Sequence, residues 1–132
     1  MMPPGTLHAG LRGVARTVVL PWPPAVNNLF LNVGKRRIRT PRYDAWILEA
    51  QAAVLQQRPG KIKGEFDVEM ACERPDRRRR DLDGLFKGPM DLLVKMGVIE
   101  DDSLAQDIRA YWVIGKPPAK PGCVRLTLRE VG

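Results

Sequence analysis

The sequence predicts an α+β domain, and three features carry that expectation. Trp46, Ile47, Ala50, Val54 and Leu55 recur at helical spacing through residues 41–57, which marks one amphipathic helix whose apolar face is core. Phe66, Val68 and Met70 alternate with Asp67, Glu69 and Ala71, the period of a half-buried strand. A second helix is expected over residues 81–96, with Leu82, Leu85, Phe86, Pro89, Leu93 and Met96 as its apolar stripe. The chain has 132 residues, the length of one ordinary domain. A domain of that size buries roughly two-thirds of its unfolded-chain surface, so it folds without a disulfide or structural metal.

Taken in order, residues 1–14 read as a disordered leader and residues 15–132 as the single domain. Residues 15–20 (ARTVVL) are short, apolar and β-branched, a first strand. Pro21-Trp22-Pro23-Pro24 stops it, because proline donates no ladder hydrogen bond and restricts the residue before it. Asn27 and Asn28 are loop residues. Residues 29–33 and 36–40 form a hairpin across Gly34-Lys35, and Lys35, Arg36, Arg37 and Arg39 make it basic. Two readings stand for that charge: contact with DNA, or a solvated edge that discourages aggregation. Thr40-Pro41 opens the first helix, with Thr as N-cap and Pro at the first position. Arg58-Pro59-Gly60 closes it. Residues 73–80 are a loop into the second helix, where Gly88-Pro89 predicts a kink or a late start. Gly97 is the natural stop. Residues 98–100 are a short extended piece, and residues 108–114 and 124–128 are the last two strands.

Composition excludes several classes. No apolar run approaches ~18 residues, so no membrane-spanning helix is expected. There is no signal-peptide layout. Cys72 and Cys123 are the only cysteines and form no CxxC, which predicts buried, reduced thiols in a cytoplasmic protein. The single histidine, His8, lies in the leader, so no His-based triad or zinc site is expected. Catalysis here must rest on Asp, Glu, Lys, Arg or a bound metal. The net charge of +7 favours a polyanionic partner such as nucleic acid.

One stretch concentrates the chemistry. Arg77, Arg78, Arg79 and Arg80 run directly into Asp81-Leu82-Asp83, Lys87 follows a turn later, and Asp101-Asp102 comes after the second helix. Positive charge suits a phosphate backbone. Clustered carboxylates suit Mg²⁺ or Mn²⁺, which prefer oxygen ligands. Together they are what metal-dependent phosphodiester cleavage requires. Asp83 is expected as the helix N-cap, and Asp83, Lys87 and Asp91 are expected to share one face. A helix from Asp83 to Met96 rises about 20 Å. The return to Asp102 covers roughly 17–20 Å if extended, so the chain length permits Asp101-Asp102 to lie beside Asp81 and Asp83. Each piece also has a plain structural reading as a cap, an i,i+4 ion pair, a solvated loop or a turn. The combination is less ordinary, because gathered aspartates repel unless a cation offsets them.

In these residues the chain resembles the RusA-type Holliday junction resolvases, a family of endodeoxyribonucleases. The matching residues are Leu20-Pro21-Trp22-Pro23-Pro24 with Asn27, then Pro75-Asp76, the four arginines, Asp81-Leu82-Asp83, Leu85, Lys87, Asp91, Gly97 and Asp101-Asp102. The resemblance implies a small mixed β-sheet with two main helices packed on it. It implies Asp81, Asp83 and Asp102 as ligands of a catalytic Mg²⁺ that Mn²⁺ can replace, and Lys87 as the catalytic lysine. Residue reasoning alone does not choose between Asp101 and Asp102; the resemblance favours Asp102. Arg77, Arg78, Arg79 and Arg80, with Lys35 and Arg36, are the expected DNA contacts, and Asp91, Asp101 and Asn27 the accessory residues. A homodimer acting on a four-way junction or other branched DNA, bacterial or phage-encoded, completes the expectation. A basic nucleic-acid-binding protein without catalysis and a metal nuclease for other branched or single-stranded DNA are the alternatives. The family usually has Asn directly after Asp-Leu-Asp, where this chain has Gly84.

Overall fold

The strand Phe66–Glu73 (β4) organises the domain, because it is paired on both sides. In the computed structural model, residues 15–115, 117–118 and 121–131 are described. The expected leader, with His8, lies outside them, as does part of the linker before the last strand. β4 runs antiparallel to β6 (Cys123–Glu130) and parallel to β5 (Ala105–Trp112). β6 in turn pairs antiparallel with β1 (Ala15–Pro21), giving a mixed sheet in the order β1-β6-β4-β5. A separate two-stranded hairpin joins β2 (Phe30–Val33) to β3 (Arg36–Arg39), turning at Gly34 with φ of 60°. The α+β class and the mixed sheet agree with expectation.

The helix Pro41–Gln57 (α1) starts as the sequence predicts: Thr40 is extended and its hydroxyl accepts the Tyr43 N–H at 3.1 Å. Its inner face buries Tyr43, Trp46, Ile47, Ala50 and Val54 against the sheet. Leu55, expected in that face, is instead 67% exposed, because the buried stripe passes through Val54 at this turn. The Gln57 amide closes the β1 edge, accepting the Val19 N–H at 2.8 Å and donating to the Val19 carbonyl at 2.6 Å. The sheet contributes Val18, Leu20, Val68, Met70, Cys72, Val124, Leu126 and Leu128 to the same core.

The second helix corrects the sequence reading. Residues 81–96 are not one helix: a 3₁₀ turn, Asp83–Leu85, precedes the helix Lys87–Lys95 (α2). Pro89 falls in the first turn of α2, where its missing N–H has no helical partner to lose, so the late start follows from proline chemistry. Asp83 therefore caps no α-helix: it is the first residue of the 3₁₀ turn, whose cap position is Leu82, while Phe86 takes the cap position of α2. The end of α2 is a Schellman closure: Gly97, at φ of 74°, donates to the Val94 carbonyl at 3.0 Å and Val98 to that of Leu93 at 2.9 Å. Residues 98–100 are bends instead of an extended piece, and Val98 and Ile99 enter the core. The fifth strand also begins earlier than expected, at Ala105, and ends at Trp112.

Neither Cys72 nor Cys123 is in a disulfide; Cys72 is buried as expected, whereas Cys123 is only partly so. Burial, followed by the neighbouring Cys123, raises the Cys72 thiol from an ordinary 9.0 to about 11. Because the folded value is the higher one, the stability this neutral thiol contributes is complete below about pH 9 and is lost as pH rises toward 11. Iodoacetamide at about pH 8 should leave Cys72 unmodified in the folded protein and label it after unfolding, since the thiolate is the nucleophile. Peptide mass spectrometry reads this, and rapid labelling of folded protein would contradict it.

Candidate metal and nucleic-acid site

Where β4 ends, residues 74–82 leave the sheet as a loop and deliver Asp81 and Asp83 to the rim of a cavity of about 750 Å³. Asn27 and Asn28 from the turn after β1, Arg42 at the start of α1, and Arg78, Arg79, Arg80 and Lys87 share its lining. Asp81 and Asp83 also line a second groove with Leu82, Phe86, Ile108 and Ala110, so the two carboxylates stand between a basic and an apolar hollow. Both residues are exposed. Among the described residues, neither side chain has a hydrogen-bond or ion-pair partner, despite the cations around them. Gly84, next in the chain, has ordinary room: an added Cβ would meet only Val26 Cγ1 at 3.7 Å and the Val26 backbone N at 4.0 Å.

Lys87 joins this loop to the Asp101-Asp102 turn. Its Nζ lies 3.2 Å from Asp91 Oδ2 one helical turn on, as the sequence allows, while Asp83 is off that helix. Asp102 opens the 3₁₀ turn Asp102–Leu104 and feels the charges of both Asp91 and Lys87. The two adjacent aspartates have different surroundings. Asp101 accepts the Ser103 N–H at 2.9 Å, and that bond holds its carboxyl below the ordinary value. The Asp102 carboxyl is pushed up, first by its hydrogen bond with Asp101, then by burial and the charges of Asp101 and Asp91, while Lys87 pulls it down.

The donors are all oxygen, which suits a hard divalent cation. The crowding of Asp91, Asp101 and Asp102, and the unpaired state of Asp81 and Asp83, are what such a cation would relieve. Among the described residues, no three carboxylates already surround one point. Carboxylate oxygens thus stand in two places, the Asp81–Asp83 loop and the Asp102 turn, with Lys87 lining the cavity of the first and acting electrostatically on the second.

The basic run divides. Arg77, Arg78 and Arg79 are exposed, whereas the Arg80 side chain is only 17% exposed and is bound to Asp76. Lys35 and Arg36 stand at the exposed tip of the β2–β3 hairpin and are not among the residues lining the aspartate cavity. Sequence reasoning missed Arg42, whose exposed place at the helix start carries no motif. It also gave no role to Arg74, Trp22 or Trp112, whose partners are remote in the chain.

Fold and site together define the class: the chain belongs to the endodeoxyribonuclease RusA family, whose model matches residues 21–121. Among curated relatives it is 34% identical over 123 residues to the crossover junction endodeoxyribonuclease RusA of Escherichia coli K12 and to that of Shigella sonnei, covering 88% of this chain and 95% of each relative. The crossover junction endodeoxyribonuclease rusA of Enterobacteria phage 82 is also 34% identical, over 126 residues, covering 87% of this chain and 94% of the relative.

Proposed function

We propose that this protein is a crossover junction endodeoxyribonuclease that resolves four-way DNA junctions with a divalent cation. Mg²⁺ is the expected ion and Mn²⁺ a substitute. The observation that carries this reading is the pair of unpartnered carboxylates, Asp81 and Asp83, on the rim of an arginine-lined cavity in a chain of the RusA family. Asp81, Asp83 and Asp102 would hold the ion. When bound, it lowers the pKa of the attacking water and offsets charge on the scissile phosphate.

The chain's own residues do the rest. Arg78 and Arg79, exposed at the cavity, hold the DNA backbone by charge and set its position without reading sequence. Lys87 lines the same cavity and its ammonium is paired with Asp91 at 3.2 Å, and a lysine there would neutralise the leaving oxygen as negative charge develops. Asp101, occupied with the Ser103 N–H, fixes the turn that presents Asp102. Two copies related by a two-fold axis suit a junction of matching symmetry, and each would make one of the paired nicks. The reduced cysteines suit a cytoplasmic setting. No described helix is long and apolar enough to cross a membrane.

The test is a cleavage assay on a labelled mobile four-way junction beside a linear duplex, each with Mg²⁺ and with EDTA. Paired, Mg²⁺-dependent nicks in the junction alone are the expected result. Equal cutting of single strands or flaps would assign the site to a different nucleic-acid substrate. Tight binding without cutting in either metal would make the protein a binding module. Light scattering of the free protein checks the dimer.

A further inference from the structure

The loop that carries the aspartates is braced at both ends by one continuous stack. At its start, the Arg74 guanidinium lies 4.9 Å from the Trp112 ring centroid. Trp112 and Trp22 are stacked, with centroids 6.1 Å apart and planes 19° from parallel. At the loop's end the Arg80 guanidinium lies 5.4 Å from the Trp22 centroid. Arg80 then grips Asp76 with both terminal nitrogens, at 2.8 and 3.0 Å, and reaches the Arg78 carbonyl at 3.2 Å. Asp76 closes the ring by accepting the Arg78 N–H at 2.8 Å. Trp112 ends β5 and Trp22 follows β1, so the stack ties the loop to both edge strands of the sheet.

We infer that Arg80 is a positioning residue for the metal ligands and not a DNA contact, and that the Arg74–Trp112–Trp22–Arg80–Asp76 stack fixes where Asp81 stands. Three observations support it. The guanidinium of Arg80 is committed twice over, to a bidentate carboxylate fork, which arginine makes and lysine does not, and to an indole face, on which arginine stacks more often than lysine. Its side chain is mostly buried, whereas its three arginine neighbours are exposed. Arg80 is also joined by one peptide bond to Asp81, which has no side-chain partner of its own among the described residues to hold it in place. A ligand without local support needs its backbone held, and the brace does so. The inference rests on the proposed metal site.

The experiment uses the full chain and Mn²⁺ as the probe, with free Mn²⁺ read by electron paramagnetic resonance and junction binding read separately over a salt series. Arg80→Gln should weaken Mn²⁺ binding by about 10–100-fold, the usual loss for a supporting partner, and leave the salt slope of junction binding unchanged. Asp76→Asn, which breaks the fork from the other side, should do the same. Trp22→Leu should weaken Mn²⁺ binding, and Trp22→Phe, which retains an aromatic face, should restore most of it. Arg79→Gln should show the converse: unchanged Mn²⁺ affinity and a salt slope smaller by about 1. Native Mn²⁺ affinity in both Arg80→Gln and Asp76→Asn, or a salt slope reduced by Arg80→Gln as by Arg79→Gln, overturns the inference. Asp81→Asn separates the two readings. If it leaves Mn²⁺ binding intact, the metal site itself is wrong; if it abolishes binding while the brace variants do not, only the brace is wrong.

Discussion

Asp83→Asn should lower junction cleavage by more than about 100-fold, beyond the 10–100-fold typical of losing a mere supporting partner of a metal ligand. Junction binding should be kept or slightly improved, because the change removes a negative charge from a surface that attracts phosphate. The structure makes this a clean test. Asp83 is exposed, opens a short 3₁₀ turn without capping it, and has no side-chain partner among the described residues. Its replacement therefore costs the fold little, within about 0.5 kcal/mol. Thermal melting should show native stability beside the lost cleavage. A variant that cuts at the normal rate would remove Asp83 from the site, and a variant that has unfolded would show that the turn depends on its charge.

Phe66→Ala should destabilise the domain by about 3–5 kcal/mol, a large part of the 5–15 kcal/mol that holds a domain folded. Phe66 is fully buried at the start of β4, paired with Ala105 on one side and Glu130 on the other. Truncation leaves a cavity at a point where two neighbouring strands fix the backbone, so the site has little freedom to collapse. Ile108→Ala is the control: Ile108 lies on the open edge strand β5 and is 53% exposed, so its loss should cost a small fraction of that amount. Urea unfolding of the two variants measures the difference. Equal costs would mean that the Phe66 end of the core is loosely packed.

Much of this fold was legible from local chemistry. Thr40-Pro41 announced the start of α1, and the alternation in Phe66, Val68 and Met70 announced the central strand, because caps and periods depend only on neighbours in the chain. The Gly88-Pro89 pair foretold the late start of α2, although the expected helix over 81–96 was too long at its front. There an apolar stripe continues through a 3₁₀ turn, and spacing alone does not separate the two. Leu55 was misplaced for a related reason: an apolar residue beside the stripe looks like part of it until the packing partner is known.

The sequence by itself determined the chemistry concentrated in its central stretch: clustered aspartates, a run of arginines, one lysine a turn beyond the aspartates, and a net positive charge over the chain. It also determined most of the elements that carry them. Only the tertiary structure decided how those residues divide the work. Four identical arginines become three exposed cations and one half-buried side chain, because among them Trp22, some sixty positions earlier, offers its face to Arg80 alone. Asp101 and Asp102 become a turn cap and a carboxylate crowded by Asp101 and Asp91, because the chain turns back toward α2 after Gly97. Periodicity and motif report what neighbours in the chain dictate; stacking, burial and charge crowding depend on partners that meet only when the chain has folded.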